Sequence, residues 1–215
     1  MSKSFKTFDS TILASLGAIV KTLKLGIGYY ENGPKDADVP EIVLTSASKF
    51  AIVTSVAAFD RYYTERFSEA LIPFLHIKEP TRELAKLLEN AGVDVYETLK
   101  LIRMDSPHRR IRSLIHRHLK TYITQDEKRI NQLYKCYGLT KFLENSERLT
   151  KRKTLRKRAF WLIHLRHKIV HDCDLNRKGA IRHLSKKESN RISKAILDMR
   201  KLVTASEQLL EKAGF

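Results

Sequence analysis

Apolar residues recur at helical spacing along most of this chain, and nowhere do they alternate over several residues between hairpin signals. After Asp9 and Ser10, either of which is placed to cap a first helix, Ile12, Leu16, Ile19, Val20 and Leu23 fall on one stripe and predict a helix over about residues 10–25. GYYENGPKDADVP, residues 28–40, is rich in turn formers and charge and predicts a loop. LTSASKFAIVTSVAAFDRYYTERFSEALI, residues 44–72, has few breakers and many small residues, and predicts a long, closely packed central helix. Shorter helices follow. A capping residue with Glu three positions on marks starts at Asp94/Glu97, Thr124/Glu127 and Ser185/Glu188. Ser106 followed by Pro107 marks another. A last helix over about residues 186–212 places Ile192, Ile196, Met199, Leu202, Val203 and Leu209 on its buried side. The pattern predicts an all-α fold, with a long central helix and extra short ones, and contains no internal repeat.

The 215 residues, 24.9 kDa and 42% hydrophobic, suffice for a single packed domain spanning residues 1–215. No apolar run approaches the roughly 20 residues that cross a bilayer, and the opening MSKSFKTFDS lacks a signal-peptide pattern. The expectation is a cytoplasmic chain with no membrane partner. Cys136 and Cys173 are too few and too far apart to define a disulfide framework or a cysteine-rich zinc site.

Charge changes the picture. The chain carries 41 Lys+Arg against 24 Asp+Glu, a formal +17. Residues 1–100 hold 12 basic and 13 acidic side chains, whereas residues 101–215 hold 29 and 11. A field of that sign attracts polyanions, and binding to phosphates releases counterions, so nucleic acid leads the list of partners; a solvated basic face, or attraction to an acidic protein or membrane, is the plainer reading. KRKTLRKR contributes Lys151, Arg152, Lys153, Arg156 and Lys157 as candidate RNA-binding residues, and HRRIRSLIHRHLK and RKGAIRHLSKK add two further basic stretches. Tyr62, Tyr63, Phe160 and Trp161 have base-stacking chemistry, but aromatics at helical spacing are more often core.

Within LRHKIVHDCD, residues 165–174, Leu162, Ile163, Leu165, Ile169 and Val170 occupy one broad arc, and Arg166 projects from its middle. A guanidinium stays charged and costs several kcal/mol to desolvate unless it is paired, so it needs a carboxylate, a phosphate or a wet cleft. Asp60 and Glu65 on the central helix are candidate partners. His164, His167 and His171 stand three and four apart, a spacing that can chelate zinc, with Asp172 or Asp174 as a conceivable third ligand. Lys168 occupies the place of the glutamate in a His-Glu-x-x-His helix and repels a dication, which argues against a metal.

Arg166, His167 and His171 resemble the signature of the HEPN superfamily, the higher eukaryotes and prokaryotes nucleotide-binding domains: an arginine, a polar residue that is most often Asn, and a histidine a few positions on. The helix ending AAFDRYYTERF, the segment TYITQDEKRINQLYKCYGLTKFL and the closing SKKESNRISKAILDMRKLVTASEQLL are similar in character to elements of the RiboL-PSP-HEPN branch, so the resemblance covers roughly residues 45–212. His167 departs from the commoner Asn.

The resemblance implies a helical, metal-independent endoribonuclease without a cofactor, working as a homodimer whose two motif helices line one cleft. In that reading His171 is the base that takes the proton from a ribose 2′-hydroxyl, Arg166 stabilises the phosphate charge of the transition state, and His167 orients the phosphate or serves as acid. Asp60 and Glu65 would support Arg166 from behind. The expected setting is a toxin–antitoxin or antiviral defence system, with an antitoxin or sensor protein as restraint. A HEPN module that binds RNA or a partner protein without catalysis is the alternative.

Overall fold

The computed structural model describes residues 1–31, 41–122, 124–171 and 183–215. Among them are nine helices and no strand: α1 (Lys3–Glu31), α2 (Glu41–Ile77), α3 (Arg82–Asn90), α4 (Val95–Ile102), α5 (Pro107–Leu119), α6 (Glu127–Lys135), α7 (Phe142–Leu149), α8 (Leu155–His171) and α9 (Lys186–Lys212). The fold is all-α. The chain divides into two compact units, one of residues 1–6, 60–152 and 203–215, the other of residues 7–59 and 153–202.

Three of the predicted helix starts hold. Asp94 accepts from the Glu97 amide, Pro107 stands at the first turn of α5, and Ser185 and Glu188 exchange backbone and side-chain bonds at 3.0 and 3.3 Å to close a full capping box on α9. Three expectations need correction. Helix α1 begins at Lys3, so Asp9 and Ser10 lie in its interior; Asp9 is paired with Arg200 instead of capping. Helix α1 also runs on through residues 28–31, the first part of the expected loop, whose remainder, 32–40, lies outside the described residues. At α6 the cap is Asp126, which accepts from the Lys128 amide, because the Thr124 amide and hydroxyl are both spent on Asp60.

Helix α2 also overturns the expectation about apolar length. From Ile42 to Ile77 it is long and apolar enough, by length and composition, to cross a bilayer, with a mean hydropathy of 1.7 in its most apolar window. Half of that window is buried inside the protein, the environment of a core helix.

In the first unit, the face of α2 beyond Asp60 buries Tyr62, Tyr63, Phe67, Ala70, Leu71 and Phe74. Aromatic rings fill the space opposite. Tyr134 of α6 stacks on Phe142 of α7 with centroids 4.1 Å apart, and Tyr137 stacks on Phe67 at 4.4 Å. The hydroxyls of Tyr134 and Tyr137 donate to the carbonyls of Tyr63 and Phe67, at 3.0 and 2.6 Å, so neither ring buries an unsatisfied polar tip. Burial pushes the pKa of each of these phenols up, so they stay neutral donors. Cys136 is a buried free thiol, pushed up to about 11 by the same cause.

At the polar centre of this unit, Glu207 of α9 accepts from the Ser2 amide at 2.9 Å, from the Tyr62 hydroxyl at 2.8 Å and from Arg66 Nε at 2.9 Å. Burial by itself pushes the Glu207 carboxyl up, but the Ser2 amide, Arg66 and Tyr62 outweigh it, and its pKa lies below the ordinary carboxylate value. In the second unit, Ile12 and Ile19 of α1, Ile52 and Val56 of α2, and Ile192, Ile196, Met199 and Leu202 of α9 are buried, with Ser48 donating to Ser189 at 3.0 Å. Val20, expected on the buried stripe of α1, is 44% exposed.

Glu207→Ala should lower the unfolding free energy by about 3–5 kcal/mol, because it leaves the 5%-exposed Arg66 as an uncompensated buried charge. Chemical denaturation at pH 7 measures this. Since the folded pKa of Glu207 is depressed, its contribution is present above the unfolded carboxylate value of about 4.3 and fades as pH falls through the folded value, so wild type and variant should converge in strong acid.

Candidate functional site

Helix α8 belongs wholly to the second unit. Its buried stripe is Leu155, Ala159, Leu162 and Ile163, the i, i+4, i+7, i+8 pattern of a core-facing helix. Arg166 is the next position on that stripe. It is half-buried, and among the described residues no carboxylate is paired with it. Beyond it the stripe emerges: Ile169 is half-buried and Val170, expected within the packing arc, is 45% exposed. The acids proposed as partners for Arg166 are engaged in the other unit. Asp60 accepts from the Thr124 amide at 2.8 Å and from its hydroxyl, and Glu65 accepts from Arg61 at 2.7 Å.

The structure brings together two of the three motif residues. The rings of His167 and His171 are stacked, with centroids 5.7 Å apart and planes 19° from parallel. His171 is exposed and His167 half-buried. Burial holds the His167 imidazole below its ordinary pKa, and the positive charge of Arg166, His171 and His164 acts in the same direction. His167 is therefore predominantly neutral at pH 7. Arg166 and His171 are not brought together within one chain. Five residues apart on a helix, they project about 140° from each other, with His167 between them.

On the opposite side of α8, Lys157, Trp161, His164, Lys168 and His171 fall within about 80° of one another. All are exposed except Trp161, which is half-buried. The candidate RNA-binding residues separate accordingly. Lys151 and Arg152 belong to the first unit, while Lys153, Arg156 and Lys157 belong to the second. Of these five, Lys157 alone lines the groove between α8 and α9.

An open groove of about 1050 Å3 lies between the first turns of α8 and those of α9, lined by Lys157, Arg158, Lys186, Lys187, Arg191 and Lys194 around Trp161. The Arg191 guanidinium lies over the Trp161 ring, 4.5 Å from its centroid. Sequence reasoning set Trp161 aside as core and named neither Arg191 nor Lys194. The i, i+4, i+7 stripe from Lys157 to His171 was the signal that places Trp161 on a polar face, whereas Arg191 is thirty residues away and meets it only through the α8–α9 packing. Tyr62 and Tyr63 are indeed core, and Phe160 packs edge-on against Phe59 at 6.3 Å. Among the described residues no three His, Cys, Asp or Glu side chains assemble as a metal-holding group; Asp172, Cys173, Asp174 and residues 177–182 of the third basic stretch lie outside them.

Residues 153–202, which contain both the groove and the histidines, carry 15 basic and 4 acidic side chains, so most of the net charge of the chain is concentrated there. No family model, curated protein or solved structure matches this chain.

In an NMR pH titration, the His167 midpoint should lie below the ordinary imidazole value of about 6.5 and move upward in Arg166→Gln, which removes one of the cations that depress it. A midpoint at or above 6.5 in the wild type would contradict the lowered value, and one unmoved by the substitution would remove Arg166 from its causes.

Proposed function

We propose that the chain is a metal-independent endoribonuclease of the HEPN type, cleaving RNA by attack of a ribose 2′-hydroxyl on the adjacent phosphorus, and that its site is shared between two copies. One observation carries the reading: a stacked pair of imidazoles, one of them held neutral, at the solvent-reaching end of a helix whose neighbouring guanidinium lacks a carboxylate partner among the described residues.

By its place in the motif and its exposure, His171 is the base that takes the proton of the 2′-hydroxyl. His167, neutral and between the two other groups, can hydrogen-bond the scissile phosphate and fix its position. As the 2′-oxygen bonds to phosphorus and the 5′-oxygen leaves, charge builds on the non-bridging oxygens, where a planar guanidinium offers two parallel hydrogen bonds. Projecting about 140° from His171, the Arg166 that meets this charge belongs to the second copy. The products are a 2′,3′-cyclic phosphate and a 5′-hydroxyl, whose oxygen takes a proton from water as it leaves.

The same divergence favours a second reading, an RNA-binding module in which Arg166 and His171 never meet on one phosphate. Incubation with RNA in EDTA separates the two, since the nuclease cleaves it and spares an all-2′-deoxy analogue, and the module leaves both intact. Arg166→Ala and His171→Ala should each reduce cleavage at least about a hundredfold. Mixing the two inactive variants should then restore roughly a quarter of wild-type activity, because each mixed pair of a twofold dimer keeps one complete site. Loss of cleavage in both variants with no recovery on mixing would place the whole site in one chain and remove the shared arrangement.

A further inference from the structure

From the groove between α8 and α9 we infer a binding site for single-stranded nucleic acid, in which a base stacks at Trp161 and successive phosphates are held by Lys157, Lys186, Lys187 and Lys194. The inference stands on the groove alone and does not depend on cleavage.

Three features of the groove select this ligand. Its charge is one-sided. The acid among its lining residues, Glu188, closes the Ser185 capping box, and Arg158 is paired with Asp198, but Lys157, Lys186, Lys187 and Lys194 have no carboxylate partner among the described residues. Four exposed ammonium groups around one opening hold several phosphates better than one small anion.

The second feature is the layered pair of Trp161 and Arg191 in the middle of the cations. An acidic peptide or a simple polyanion has no use for an indole at that place, whereas a nucleobase stacks on an aromatic face and equally on a planar guanidinium. Arg191 is exposed, so a base can join the layer over it or displace it from the indole. A base paired in a duplex presents its edge and not its face, which makes the strand a single one.

The third feature is direction. Trp161 shares its face of α8 with His164, Lys168 and His171, and the ten residues from Trp161 to His171 rise about 15 Å, a span of a few nucleotides. A strand stacked at Trp161 is thus led along an exposed polar stripe to the stacked imidazoles.

Trp161 is the chain's one tryptophan, so fluorescence excited at the red edge of the indole band, where the eight tyrosines do not absorb, reports on this groove. The experiment uses the full chain carrying His171→Ala, so that an RNA probe stays intact, titrated with a 12-nucleotide oligouridylate, the matching oligodeoxythymidylate, an RNA duplex, heparin and polyglutamate. Both single strands should quench the tryptophan saturably, and the duplex, heparin and polyglutamate should not. The triple variant Lys186→Ala/Lys187→Ala/Lys194→Ala alters exposed side chains only; it should weaken oligouridylate binding at least tenfold and reduce the log–log salt slope by roughly 2. In a fluorescence-anisotropy assay with labelled oligouridylate, Trp161→Ala should weaken binding about tenfold. Circular dichroism confirms that each variant is folded, and Trp161→Phe, which keeps a stacking ring, should retain most of the affinity if the alanine variant is not.

Equal quenching by heparin would make the groove a general polyanion surface and overturn the stacking assignment; quenching by polyglutamate would reassign it to an acidic protein. Oligonucleotide binding unchanged by the triple variant would refute the site. The outcomes are independent of the nuclease reading: a wild type that never cuts RNA but passes these tests keeps the groove and loses the catalysis, and a wild type that cuts while binding ignores Trp161 does the reverse.

Discussion

A charge in a protein interior has to be answered, and the first unit is organised around one answer. Glu207 is 4% exposed, and the amide of Ser2, the hydroxyl of Tyr62 and the guanidinium of Arg66 all converge on its two oxygens. Each donor comes from a different turn of chain, so the N-terminal residues, α2 and the end of α9 cannot shift relative to one another within this unit without stranding a charge. Such a pair adds little net stability over well-packed apolar side chains; what it adds is a heavy penalty for any arrangement that breaks it. The aromatic layer of Tyr63, Tyr134 and Phe142 then packs in a register already set.

Arg166 is the contrasting case. It, too, occupies a position that the helical pattern assigns to the core, but the described residues offer it no acid, and it is correspondingly left half-exposed. The surrounding segment, with 15 basic and 4 acidic side chains, makes an internal answer scarce. A guanidinium placed this way is stabilised when something anionic or wet reaches it from outside the chain. This difference between two arginines, one paired in the core and one without a carboxylate among the described residues, is the physical reason for looking to α8 for function.

Much of the fold was legible because helices announce themselves locally. Asp94 with Glu97, Ser185 with Glu188, and Pro107 act within one turn, and a sequence window contains everything that decides them. The misses have the opposite character. Asp9 looked like a cap but is claimed by Arg200, nearly the whole chain away, and Thr124 looked like a cap but is claimed by Asp60. In both cases a distant partner outbid the local role, and no window around either residue contains the competitor. The same rule governs the candidate site. The residues of α8 could be read from its wheel, including the stripe on which Trp161 lies, but the lid of Arg191 over that indole exists only once α8 and α9 pack.

The two faces of α8 also explain how one helix can serve two demands. The side that carries Lys157, Trp161 and His171 is polar along its length and open to solvent, while the side that carries Leu155, Ala159 and Leu162 is core until it reaches Arg166. A motif with its arginine and histidine five residues apart is badly spaced for a single-chain site, since about 140° of rotation separates them. The proposed site of two helices meeting near their ends answers this, each helix turning its arginine toward the other's histidine while the upstream polar faces remain uncovered.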